Sequence, residues 1–252
     1  MAFLINTVDK IISKQPPFYY WVKTILFSVL AKPKHTFVPP LRQDFERYEG
    51  LFTHSCENFE AIVGPYLDEM KWPLGRVYNG NFESIDCDLY YAIIRKFKPD
   101  IIIEIGTGNS ALFALEAMKR NKKGGILAID PEPRIKLPKD IKHIKLKVEE
   151  VPLDIFYKLG ENDILFIDSS HTTAEASYHV KRILPILKSG VLIHHHDILF
   201  PYDIYFGGDK QRFGEQDVIL DFYLANMDNY QIMTSTAFVC HLDLAKVKEL
   251  VR

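Results

Sequence analysis

The chain has 252 residues, 47% of them hydrophobic, and a formal net charge of −2. That length can bury a full core in one large domain, and the balanced charge speaks against a protein built to bind nucleic acid through a basic field. The three cysteines, Cys56, Cys87 and Cys240, lie far apart with no C-x-x-C pair. This disfavours a disulfide scaffold or a thiolate zinc site and fits a reducing, cytoplasmic setting.

Residues 18–31, FYYWVKTILFSVLA, form an apolar stretch broken by Lys23, shorter than the roughly 20 residues that span a bilayer. The stretch also lies too far into the chain for a signal peptide. Residues 1–35 carry five lysines against one acid, Asp9. A basic, aromatic arm of this kind suits peripheral contact with a membrane surface. Packing on the catalytic domain, or on a second copy in a homodimer, is the commoner fate. AKPKHTFVPPL (31–41) reads as a linker, 42–72 as a small helical cap, and WPLGRVYNGNF (72–82) as a turn-rich boundary. The chain therefore divides into an N-terminal helical arm and cap over 1–80 and a main domain over 81–252.

From residue 87 strands and helices alternate. CDLYYAIIRKF (87–97) reads as a helix that stops before Pro99. IIIEI (101–105) is a short buried strand, 110–121 a helix, GGILAID (124–130) a strand and IKHIKLK (141–147) a weaker one. A helix over 152–160 precedes the strand DILFID (163–168). A longer helix over 172–187 carries Ala176, Val180, Ile183, Leu184 and Leu187 on one stripe, and VLIHHHD (191–197) is the fifth strand. A helix near 215–226 leads to YQIMTST (230–236) and AFVCHL (237–242), close enough to pair antiparallel. The order predicts an α/β, Rossmann-like doubly wound sheet, mainly parallel with an antiparallel C-terminal strand. Ligands in such sheets sit beyond the carboxyl ends of the strands.

The strand ends are where the polar residues gather. The first ends Glu104-Ile105-Gly106-Thr107-Gly108-Asn109-Ser110. Gly106 and Gly108 let the backbone turn tightly and approach a ligand, and Asn109 or Ser110 can cap the next helix. Asp130 ends the second strand 22 residues after Gly108, where an acid can take both hydroxyls of a ribose. GTGNSA also fits the weak G-x-G-x-x-A dinucleotide form, which favours NAD. Glu104, expected at the strand end facing the site, argues instead for a cationic ligand such as the amino group of S-adenosylmethionine. The fourth strand ends Asp168-Ser169-Ser170-His171 and the fifth His194-His195-His196-Asp197. Alternation puts His194 and His196 on one face and His195 on the other, with His195 the best candidate for a core histidine. Asp168, His171, His196 and Asp197 can gather around one divalent ion, Mg or Mn by their donor types, or supply a general base. The loop 198–214, with Tyr202, Asp203, Tyr205 and Gly207-Gly208, reads as a candidate lid, and Glu215-Gln216 as groups facing a polar acceptor or opening a helix.

EIGTGNS, AIDPEP and DILFIDSSHTTAEASYHVKRILPILKSGVLIHHHDI together resemble the class I S-adenosylmethionine-dependent methyltransferases. The similarity is greatest to a subgroup with Asp-Ser/Gly-x-His and His-Asp-Ile strand ends, often linked to polysaccharide or natural-product biosynthesis. It covers about residues 78–242. The resemblance implies O-methylation of a sugar or related hydroxylated metabolite. It places Glu104, Gly106, Gly108, Asn109 and Ser110 about the methionine part, Asp130 at the ribose, and Asp168 and His171 by the methyl donor. His196, Asp168 and Asp197 would serve catalysis, with His196 the first choice of base, and Asp168, His196 and Asp197 would hold a metal if one is used. Two other readings remain open: a nicotinamide-dependent oxidoreductase on the same sheet, and a non-catalytic scaffold on the methyltransferase fold.

Overall fold

A computed structural model of the chain describes residues 40–72, 82, 84–203, 205–206, 211–212 and 214–250. The arm over 1–35, nearly all of the linker 31–41 and of the turn 72–82, and Gly207-Gly208 lie outside the described residues.

In chain order the elements are α1 (Phe45–Tyr48), α2 (Ser55–Val63), α3 (Ser84–Phe97), β1 (Ile101–Ile105), α4 (Asn109–Asn121), β2 (Gly125–Ile129), β3 (Ile141–Ile144) and β4 (Ile164–Ile167). There follow α5 (Thr173–Tyr178), β5 (Leu192–His195), β6 (Tyr205–Phe206), β7 (Gln211–Arg212), α6 (Gly214–Ala225) and α7 (Thr236–Leu250). The main sheet has five strands in the order β3-β2-β1-β4-β5, and every pairing in it is parallel. The order reverses between β1 and β4, which makes their carboxyl ends the switch point where a ligand belongs.

Both faces of the sheet are covered, as a parallel sheet requires. Ile102, Ala128 and Phe166 pack with α2, α3 and α4 on one side. Ile103, Ile105, Leu165 and Ile167 pack with α5, the turns after it and α6 on the other. Asp163, a buried carboxylate, ties three strand starts together. Its Oδ1 accepts from the N–H groups of Asp100 (2.9 Å) and Ile101 (2.8 Å), its Oδ2 from Gly160 (2.9 Å), and its carbonyl from Leu192 (2.8 Å).

The expected antiparallel C-terminal strand is absent among the described residues. Segment 230–235 has no regular secondary structure and pairs with no strand among the described residues; residues of α2 take some of its polar groups. The Met233 carbonyl accepts from Asn58 Nδ2 (2.8 Å), and Thr234 Oγ1 donates to the Ser55 carbonyl (2.8 Å). Residues 237–242 lie in α7, opened by Ser235, whose Oγ accepts from the Phe238 N–H (3.3 Å). A six-residue apolar run fits a strand or a buried helix equally well; here the adjacent Phe238 and Val239 are both buried, whereas a strand would turn them to opposite faces. Among the described residues the antiparallel pairing is limited to the small β6–β7 hairpin and an isolated bridge between Leu41 and Tyr202. Residues 153–158 form a 3₁₀ turn rather than a full helix. The helix expected over 172–187 changes from α to π at His179 and to 3₁₀ at Leu184, since Pro185 cannot donate a backbone bond.

The cap is built into the domain. Phe59, Ile62 and Val63 belong to the same core as α3. Tyr48, Phe52, Phe200 and Phe238 form a second aromatic core, with Phe52 stacked on Phe200 at 4.5 Å. Buried Arg42 bridges Asp44 (2.8 Å) and Asp217 (2.7 Å), fastening the cap to the start of α6. These contacts also hold the first part of the expected lid. Gln216 accepts from the Leu199 N–H and donates to the Tyr202 carbonyl, and Leu41 bridges to Tyr202. Residues 198–203 are therefore a fixed wall.

Replacing Asp163 with alanine is expected to lower unfolding free energy by about 3 kcal/mol in urea titrations, since several charge-assisted bonds to buried backbone are lost together. A loss below about 1 kcal/mol contradicts this role.

Candidate active site

Two cavities meet at the carboxyl ends of β1, β4 and β5. The first, of about 510 Å³, is lined by the β1 turn, the β2 end and the β4 end, a size that suits a metabolite. Gly106 has φ +76°, and a Cβ there would lie 1.7 Å from the Asp168 carbonyl oxygen. No other residue fits without moving β4 away from β1. Gly108 is extended, its nearest neighbour to a Cβ being Arg134 at 3.8 Å, so this side of the turn stays open. Asn109 and Ser110 line the cavity but cap nothing; both lie inside α4, and the cap position falls on Gly108. Asp130 accepts from the N–H groups of Thr107 (2.9 Å, Oδ2) and Glu132 (2.7 Å, Oδ1). It thereby joins the β1 and β2 turns while each oxygen keeps a lone pair for a ligand hydroxyl.

Glu104 is placed differently from expectation. It is fully buried and is not among the cavity residues. Its carboxyl accepts from Tyr90 Oη (3.0 Å) and Thr107 Oγ1 (2.7 Å), beneath the cavity floor. Burial pushes it up to about 7, against the bonds from Thr107 and Tyr90. Through Thr107, which lines the cavity, it shapes the turn. His171 likewise stands behind Asp168 and is not among the cavity residues.

Asp168 is the junction. Its Oδ1 lies 3.4 Å from His171 Nε2 and 3.3 Å from His196 Nδ1. Asp197 approaches both histidines at 3.5 and 3.4 Å. Glu215 holds His171 Nδ1 at 3.0 Å, and Asp86 lies 3.7 Å from His196 Nε2. His171 and Asp197 both have left-handed backbone, φ 55° and 57°, an uncommon conformation that concentrates where function fixes the chain. The bonds from Asp168 and Glu215 raise His171 to about 10 in spite of burial. For His196, burial opposes the charge, yet Asp168, Asp197 and Asp86 together drive it up to about 12. Asp168 is itself held well below the usual carboxylate range: burial acts upward, but the two histidines outweigh it.

Three carboxylates around His196 thus favour its protonated form, which bears on its expected role as a base. His195 is the core histidine expected, with Nε2 2.9 Å from Tyr223 Oη and burial lowering it to about 3. His194 packs between Tyr90 and Phe166, lowered by burial to about 4. The donor set with metal-binding geometry is Asp168, His171 and Asp197, whose ligand atoms lie within 4.8 Å of one another. His171 thus takes the place expected for His196. Two site residues escape a reading of strand ends. Asp86 lies far away in sequence on α3, and Glu215 reads equally well as an ordinary first-turn acid of α6.

Residues 103–198 match the family model described as a methyltransferase domain. An uncharacterized protein of Archaeoglobus fulgidus is 35% identical over 120 residues, covering 41% of this chain and 54% of that protein. The chain spans about half the length of that curated relative. The crystal structure of the SAH-bound Podospora anserina methyltransferase PaMTH1 aligns over 77% of this chain and 91% of its own, with 19% identity and a TM-score of 0.42. The matched segment runs from within β1 to just past the end of β5, and so takes in the strand ends that resemble the class I methyltransferases. Among the described residues no helix is long and apolar enough to cross a membrane.

The charged cluster has a pH signature. The lowered Asp168 contributes stability above its ordinary value of 3.8 and loses it as pH falls. The raised histidines contribute fully below 6.5 and lose it as pH rises through about 10 for His171 and about 12 for His196. The cluster therefore stabilises most between 3.8 and 6.5. The stability advantage of the native protein over Asp168→Asn, measured by urea unfolding, is expected to shrink steadily from pH 6.5 to pH 10. An advantage that stays flat or grows contradicts the assignment.

Proposed function

We propose that the protein is an S-adenosylmethionine-dependent methyltransferase acting on a hydroxyl oxygen of a sugar or related hydroxylated metabolite. The observation that carries this reading is the position of Asp168. It lines the first cavity at the switch point and touches His196, which lines the second. The first cavity is acid-rich: Asp130, Glu132, Glu149, Asp168 and Glu175 face only Arg134 and Lys147. Such a surface repels the pyrophosphate of a dinucleotide and suits a cationic cofactor.

Gly106, Gly108, Asn109 and Ser110 would hold the methionine part, and Asp130 the ribose. The glycine turn supports this, since a side chain at Gly106 would fill the space between β1 and β4. When bound, the cofactor supplies a methyl group on a cationic sulfur. As the oxygen–carbon bond forms and the carbon–sulfur bond breaks, the hydroxyl proton must leave. Charged His196 stabilises the negative charge growing on the acceptor oxygen. Asp197, half exposed and 3.4 Å from His196, takes the proton. A second reading puts Mg or Mn on Asp168, His171 and Asp197, favoured by the closeness of their ligand atoms. An ion there needs neutral His171, so it competes with the proton held by Asp168 and Glu215. Its signature is a manganese-induced rise in Tm that grows from pH 6 to pH 9 and is lost in His171→Ala.

In titration calorimetry, S-adenosylmethionine and S-adenosylhomocysteine are expected to bind and NAD to give no heat. Asp130→Ala is expected to weaken cofactor binding about tenfold or more. Asp168→Asn is expected to lower kcat by about 100-fold or more. Binding of NAD without binding of S-adenosylhomocysteine overturns the reading.

A further inference from the structure

The second cavity, of about 260 Å³, lies on the other side of His196 from the first. Its polar end is formed by Asp86, His196 and Asp197. From there it follows the edge of β5 that has no strand neighbour among the described residues, where β5 pairs with β4 alone. Segment 229–236 closes the opposite side without pairing to it. Aliphatic side chains, Leu89, Ile193, Leu220, Ile232 and Met233 among them, make up about half of the lining, and Asn229, Gln231, Thr234, Ser235 and Thr236 add polar groups on the side of segment 229–236. The N–H groups of Leu192 and His196 bond back to Asp163 and Ile167, so alternation turns the backbone of Ile193 and His195 toward the open edge.

The ring of His196 gives an independent sign of a ligand. It is 6% exposed, and both nitrogens are buried with no partner in hydrogen-bonding geometry. Its carboxylate neighbours at 3.3 to 3.7 Å give charge attraction with poor alignment. An imidazole ring in this state has an N–H to offer a hydroxyl oxygen. A molecule bearing hydroxyls all round would leave several of them against Ile193 and Leu220, each unpaired and costly. A molecule with one polar end and a hydrocarbon portion satisfies both parts of the cavity.

We infer that the cavity along β5 is a subsite for the aliphatic portion of a hydroxyl-bearing ligand, whose oxygen sits at His196. On the methyltransferase reading, on which this rests, that ligand is the methyl acceptor. Within the sugar or hydroxylated-metabolite class proposed above, the acceptor is then one that carries an aliphatic portion, and not a free sugar.

The test uses the full-length protein and two separate titrations. One is S-adenosylhomocysteine alone. The other is the series 1-butanol, 1-hexanol and 1-octanol in the presence of S-adenosylhomocysteine and in its absence. Alkanol affinity is expected to rise about fourfold per added methylene until the chain outgrows the cavity. Met233→Trp, which fills the cavity, is expected to abolish the rise, and Ile232→Asp to weaken it, with S-adenosylhomocysteine affinity unchanged in both. A flat series overturns the inference, as would result if another segment of the chain or a second copy occupied the cavity. A rise that survives Met233→Trp also overturns it, because binding is then elsewhere. S-adenosylhomocysteine binding with a flat series leaves the methyltransferase reading standing. A rising series without S-adenosylhomocysteine binding supports the subsite and removes the reading.

Discussion

Two histidines share the carboxylate of Asp168, and the site depends on that charge being held in place. Burial alone would protonate an acid there and discharge the imidazoles. Each group stays ionised because the others are within 3.3 to 3.5 Å. The backbone sets those distances. The Asp168 N–H bonds to the Ile105 carbonyl (2.8 Å), and the His196 N–H to the Ile167 carbonyl (2.9 Å). The ends of β1, β4 and β5 are thus stitched in sequence, and the parallel register delivers the acid and the imidazole side by side. Glycine at 106 is the condition for this: any side chain would strike the backbone of Asp168.

The surrounding structure keeps this cluster dry and fixed. Phe82 and Phe166 pack on His196, with ring centroids 5.0 and 6.3 Å away. Asp86 is held by Thr236 Oγ1 (2.9 Å), so the start of α7 positions a carboxylate that faces His196. Glu215 is held at the start of α6, next to Gln216, which pins residues 199 and 202. Two residues on, Asp217 takes the buried guanidinium of Arg42. The cap therefore reaches the reaction centre through α6 as well as through the aromatic core around Phe200. Its contribution to function is positional, and removing its contacts should loosen Glu215 and the wall 198–203 together.

Much of the sheet was legible because parallel strands buried on both faces read as short apolar runs, and each run here ends in a turn residue. The strand-end residues Gly106, Asp130, Asp168, His196 and Asp197 followed from the same pattern. What the pattern could not give was direction and partnership. Glu104 stands one residue before the strand end, and alternation turns it into the core, onto Tyr90. The protonation of His196 depends on Asp86, over a hundred residues away in sequence. The C-terminal segment misled because YQIMTST has strand composition, while its bonding partners, Asn58 at the Met233 carbonyl and the Ser55 carbonyl at the Thr234 hydroxyl, belong to the cap. Gly108 takes the cap position of α4 where a polar side chain was expected, which leaves the cavity side of the turn open.

The central claim is that Asp168 holds His196 charged between two ligand cavities. It is tested most directly by ¹⁵N NMR of the histidine rings in the full-length protein at pH 8, before and after addition of S-adenosylhomocysteine. The account predicts that His171 and His196 carry protons on both nitrogens while His194 and His195 are neutral. It also predicts that the His196 resonances move on ligand addition while those of His195 stay. A neutral His196 at pH 8, or a His196 signal indifferent to the ligand, would contradict it.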